Sequence, residues 1–135
     1  MPWYRCTVPG GSVSLELRSR IAREFTRIHC ELTGAPPSFV HVHFVEVSGA
    51  DESGARASYE IRGRVRAGRS PEVMTRLLDR LTGAFTELAA VAPGDVSVDL
   101  TEIPASWIME GGEIAPEPGE EAHWLEGHAR RRNRA

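Results

Sequence analysis

The 135-residue sequence has no lysine; all sixteen of its Lys/Arg-class residues are arginine. Arginine stays protonated at any ordinary pH, so it cannot serve as a base or a nucleophile. Amine chemistry is left to the chain's start, Met1-Pro2-Trp3-Tyr4. Removal of an initiator Met before a small residue exposes Pro2 as a secondary amine. An α-amino group titrates near ~8, and burial or nearby cations lower it. It can then act as general acid or base near neutral pH. Many chains begin Met-Pro without any such chemistry, so the other reactive residues must supply the context.

Arg66 and Arg69 flank Ala67-Gly68 just before Ser70-Pro71, a helix-start pattern. Two forked guanidinium groups beside a helix N-terminus suit a carboxylate; a solvated charged turn is the alternative. His29 follows Phe25 by four residues and Ala22 by seven. That puts it on the inward side of a helix near its C-terminal end, where the dipole favours imidazolium. A buried structural histidine fits the same position. Glu110 follows Trp107, Ile108 and Met109, a setting that suits a general base to water as well as an exposed acid in a tail. Asp99 lies on the polar side of a strand. It either pairs with Arg66 or Arg69 or faces solvent. His41 and His43 share a strand face at a spacing compatible with two metal ligands. No third ligand is evident, and a subunit contact suits them better. Cys6 and Cys30 lack CxxC spacing, which favours free thiols over a disulfide framework.

The elements that must position these residues are readable from hydrophobic period. Trp3 to Val8 reads as a strand. Ser12 or Ser14 caps a helix whose apolar stripe is Leu17, Ile21, Phe25, Ile28 and Leu32, ending at Gly34 before Pro36-Pro37. Val40 to Val47 alternates as a strand. Ser48 to Ala57 reads as a polar loop, and Ser58 to Val65 as a third strand. Ser70-Pro71 starts a second helix carrying Met74, Leu77, Leu78, Leu81, Phe85 and Leu88, ended by Pro93-Gly94. Val96 to Thr101 reads as a fourth strand, and a helical turn is expected after Pro104, through Trp107 to Glu110. Composition predicts a domain over residues 1–110. Residues 111–135, rich in Gly, Pro and Glu and ending in Arg130-Arg131-Arg132, read as a C-terminal arm that is irregular or partly disordered.

Two strand–helix–strand units predict an α+β fold: tandem parallel β-α-β units joined in a four-stranded mixed sheet with both helices on one face. The other face would then leave Val, Phe and Tyr in reach of water, a surface that oligomerisation covers. The net charge of −3 and pI near 6.0 offer no electrostatic footprint for nucleic acid. The short Arg run is offset by Glu117, Glu120 and Glu121. No apolar run approaches a membrane span, and no signal-peptide pattern opens the chain, so a cytoplasmic location is expected.

With its elements in place, the chain resembles the tautomerase superfamily, and within it the cis-3-chloroacrylic acid dehalogenase group. The resemblance runs from Pro2 to about Gly119. It rests on the Met-Pro start, on His29 with Leu32-Thr33-Gly34, and on Arg66-Ala67-Gly68-Arg69-Ser70. It continues through Glu102-Ile103-Pro104-Ala105, Glu110 and Pro116-Glu117-Pro118-Gly119. It implies the tautomerase fold, a homotrimer, no cofactor and a small carboxylate substrate. By position it implies that Pro2 handles the substrate's proton, that Arg66, Arg69 and His29 hold the carboxylate, and that Glu110 activates water. The group's tyrosine partner to that glutamate is replaced by Asp99.

The leading expectation is therefore a cofactor-independent tautomerase acting on a small α-keto, enol or unsaturated carboxylic acid. One alternative is water addition of the cis-3-chloroacrylate dehalogenase or hydratase type. The other is a non-catalytic trimeric carboxylate-binding protein, with Asp99 neutralising the arginines.

Overall fold

Two β-α-β units form the body of the protein. The computed structural model describes residues 1–48 and 58–134; most of the loop expected over Ser48 to Ala57 lies outside the described residues. The first unit runs β1 (Trp3–Pro9), α1 (Leu15–Thr33), β2 (His41–Val47), and the second β3 (Tyr59–Arg66), α2 (Pro71–Ala89), β4 (Val96–Ile103). The sheet order is β2-β1-β3-β4. Strands β1 and β2 are parallel, as are β3 and β4, and the units join through antiparallel β1 and β3. The mixed α+β sheet read from hydrophobic period is the observed one.

Local chemistry explains the helix limits. Ser14 caps α1 by accepting from Leu17 N, and Gly34 closes it at φ 77° with its N–H on Cys30 O. Ser70 caps α2, with Pro71 at the first helical position. Helix α2 stops at Ala89, short of Pro93-Gly94, because Ala90 adopts φ 54° and bonds back to the last turn.

The core lies between the helices and one sheet face. Ile21, Phe25 and Ile28 of α1 and Leu77, Leu81 and Phe85 of α2 pack on Tyr4, Cys6, Val8, Ile61 and Val65. Val42, Phe44 and Tyr59 belong to this side too. The sheet's other face is therefore not the apolar surface that the alternation suggested. Its registered neighbours include His41, His43, Trp3, Arg5, Arg62, Arg64 and Asp99.

The residues beyond 110 are more ordered than their composition suggests. A 3-10 turn at Ala105–Trp107 leads into the hairpin β5 (Met109–Glu110) and β6 (Glu113–Ile114), and then helix α3 (Glu121–Arg132). Trp124 anchors α3: its Nε1 donates to Ile114 O at 2.8 Å, and its ring meets Phe39 edge-on at 5.7 Å. Arg131, within the terminal Arg run, pairs with Glu113. No helix among the described residues is long and apolar enough to cross a membrane.

Candidate active site

The start of β1 carries the site. Pro2 is buried, and its carbonyl accepts from His41 N–H at 3.0 Å. The Met1 amine forms an ion pair with Glu110, and both are mostly covered. Gly111 and Gly112, at φ 58° and 84°, make the two-residue turn between β5 and β6, a conformation most side chains resist. That turn sets Glu110 opposite Glu113, and Ala115 N–H to Ile108 O at 2.8 Å fastens the hairpin base. Burial lowers the pKa of the Met1 amine; Glu110 opposes the shift, and Arg66 adds to it.

His29 is fully buried on α1. Its Nδ1 lies 2.7 Å from the Tyr4 hydroxyl. Burial, then Arg69, Arg66 and the N-terminal amine, pull its pKa down to about 3. His29 is therefore neutral near pH 7, contrary to the imidazolium that a helix C-terminus favours. Desolvation and three nearby cations outweigh the dipole.

Arg66 ends β3 and is 1 % exposed. Its Nη1 donates to Pro116 O at 2.6 Å and its Nη2 to Glu121 Oε1 at 2.6 Å. The guanidinium carbon sits 5.5 Å from the centre of the Phe39 ring. Glu121 also accepts from Gly119 N–H at 2.9 Å. Burial alone would raise the Glu121 pKa, but the Arg66 and backbone hydrogen bonds win and lower it. Arg66 is thus held by its own chain's carboxylate.

Arg69 donates from Nη1 to Arg66 O at 3.0 Å. Burial and Arg66 lower its pKa, yet it remains the cation here with no ion pair among the described residues. Among the described residues, four buried nitrogens have no hydrogen-bond partner: His29 Nε2, Arg66 Nε, Arg69 Nε and Arg69 Nη2. Buried polar atoms are usually satisfied, and the open guanidinium N–H groups are donors of the kind that suit an anion's oxygens.

The structure thus gathers five of the residues singled out in the sequence: Pro2 beside Met1, His29, Arg66, Arg69 and Glu110. It sends Asp99 elsewhere. Asp99 registers beside Arg62 and lines a shallow hollow on the uncovered sheet face with Trp3, Arg5 and Arg64. Within one chain it neither pairs with nor neutralises Arg66 or Arg69. His43 accepts a hydrogen bond from Trp3 Nε1 at 2.8 Å and stacks on its ring. No group of three or more His, Cys, Asp or Glu that could hold a metal occurs among the described residues.

Sequence reasoning missed Tyr4, which was named only as part of the chain's start and first strand, and Glu121, which read as a tail acid. For Tyr4 no local pattern signals the His29 contact. For the hairpin a signal existed, because Gly-Gly between two short runs is a turn pattern.

No known family profile and no curated protein matches the chain. Solved structures do. A member of the cis-3-chloroacrylic acid dehalogenase family called N1 superposes with a TM-score of 0.84 at 28% identity, over 92% of this chain and 90% of that one. A protein described as native Ps01740 is 35% identical, with a TM-score of 0.75, over 80% of this chain and 99% of its own. This chain belongs to the tautomerase superfamily, in its cis-3-chloroacrylic acid dehalogenase-like group. A fused 4-OT, described as a symmetric trimer, shares the tautomerase fold at 20% identity, with a TM-score of 0.74 over 84% of this chain and 94% of that one. The superfamily's β-α-β units thus carry, in this member, a buried donor cluster next to the N-terminus.

Proposed function

We propose that this protein is a cofactor-independent tautomerase acting on a small α-keto, enol or unsaturated carboxylic acid, with Pro2 as its proton shuttle once Met1 is removed. The observation that carries the reading is the set of unpartnered buried donors on His29, Arg66 and Arg69 near the chain's start. Arg69 supplies the net positive charge, and His29 Nε2 and Arg66 Nε add donors that fit a carboxylate. The same burial and Arg66 field that lower the Met1 amine's pKa would act on the Pro2 amine and leave part of it unprotonated near pH 7.

In enol-to-keto conversion the enol hydroxyl loses a proton and the adjacent carbon gains one. The Pro2 nitrogen takes the first and returns a proton to carbon. The donor cluster holds the carboxylate and stabilises charge developing beside it. The test is phenylpyruvate tautomerisation by the native protein and by Pro2→Ala. The variant should lose at least about a hundredfold in kcat/KM, and equal rates would sink the role of Pro2.

Glu110 at the N-terminal amine favours one further reading, addition of water to an unsaturated acid. In that reading the carboxylate draws a proton from water, and Pro2 protonates the neighbouring carbon. Halide release from cis-3-chloroacrylate distinguishes this activity. An intact mass that retains Met1 would make the Pro2 nitrogen an amide without a basic lone pair, and would favour a non-catalytic carboxylate-binding protein. We further propose a homotrimer, in which the uncovered sheet face, Asp99 included, meets neighbouring subunits.

A further inference from the structure

We infer that Tyr4 is a positioning residue: its hydroxyl donates to His29 Nδ1, which holds the imidazole proton on Nε2 as a donor to the bound carboxylate. This rests on the carboxylate pocket proposed above.

The direction of the hydrogen bond follows from counting hydrogens. Tyr4 and His29 are both fully buried, and the Tyr4 oxygen lies 2.7 Å from Nδ1. If Nδ1–H donated to Tyr4, the hydroxyl hydrogen would lack an acceptor and Nε2 would lack a donor. If Tyr4 donates, only the Nε2–H stays unmatched, and an anion's oxygen matches it. An unsatisfied buried polar group costs about 1–3 kcal/mol, so the arrangement with one open donor wins over the one with two orphans. The neutrality of His29 makes the question of tautomer a real one, since an imidazolium would carry both protons.

The tyrosine itself has little freedom. Its ring meets Phe25 edge-on at 5.7 Å and lies across from Gly63 in the β1–β3 register. A Cβ at Gly63 would fall 2.7 Å from Tyr4 Cε1 and 2.8 Å from Cδ1. The missing side chain gives the ring its place, and the ring aims the hydroxyl at His29.

Nitrogen-15 imidazole spectra of the ligand-free protein test this, with the His29 signals assigned by their loss in His29→Gln. The native protein should show His29 protonated on Nε2 with a bare Nδ1. A proton on Nδ1 would overturn the inference, whether or not the protein turns over phenylpyruvate. Tyr4→Phe should shift His29 towards the Nδ1–H form and weaken binding of phenylacetate, an unreactive carboxylate, by about tenfold. A folded Tyr4→Phe that keeps the Nε2–H tautomer would remove the positioning role. If that variant does not fold, the native spectrum still decides the direction of the bond.

Discussion

His29 takes no proton near pH 7 in the folded chain, and this has a thermodynamic side. An unfolded histidine titrates near 6.5, whereas the folded group titrates at about 3. Between those values the unfolded chain binds more protons, so stability falls as pH falls. The contribution is fully present above about pH 6.5 and is lost progressively towards pH 3. For a fully buried group, moving from pH 7 to pH 5 removes about 2 kcal/mol from this source alone. Urea unfolding of the native protein and of His29→Gln at those two values checks it. The native protein should lose about that much more than the variant, and parallel losses would show that His29 is not the group responsible. A carboxylate bound at the donor cluster should partly offset the loss by favouring the folded state.

At the scale of elements, helix α3 is held to the body by Trp124 and, at its first turn, by a buried charge pair, Arg66 with Glu121. Breaking such a pair leaves a buried cation without compensation, at a cost of about 3–5 kcal/mol. Glu121→Ala should lower unfolding stability by about that amount. It should also loosen the arm, seen as a change in Trp124 fluorescence and faster trypsin cleavage at Arg130 to Arg132. Unchanged stability would mean that the pair contributes little.

The same pair shows where sequence reading stops. The cap Ser70-Pro71, the terminating Gly34 and the apolar stripes of α1 and α2 are local patterns, and they were legible. So was the inward placement of His29. Arg66 and Glu121 are 55 positions apart, and each alone reads as a solvated charge. Only the return of the chain through Pro116 and Gly119 brings them together. Asp99 was left open for a different reason. Strand alternation correctly made it polar-facing, but which polar side chains share that face depends on pairing β4 with β3. That register sets it beside Arg62.

For the whole molecule, the proposed trimer turns on the uncovered sheet face. It mixes Arg5, Arg62, Arg64 and Asp99 with Trp3 and Val45, the last two 43% and 38% exposed. A trimer would shield this face and leave the helices outside. Light scattering should give three times the 14.8 kDa chain mass. Val45→Asp, on strand β2 away from the core, should shift the mass towards the monomer while circular dichroism stays unchanged. A native protein that runs as a monomer would remove the trimer. Arginine-rich contacts between subunits would also weaken with added salt.

Gly63 carries no functional group, yet the geometry of the pocket depends on what it lacks. Leu100 Cδ2 and two Tyr4 ring carbons all lie within 2.8 Å of where its Cβ would stand. In a saturation-mutagenesis map of activity this position would look as intolerant as Arg69. A reader ranking residues by intolerance alone would assign it a chemical part. Its actual contribution is empty volume, and the two kinds of intolerance separate only when folding and turnover are scored apart.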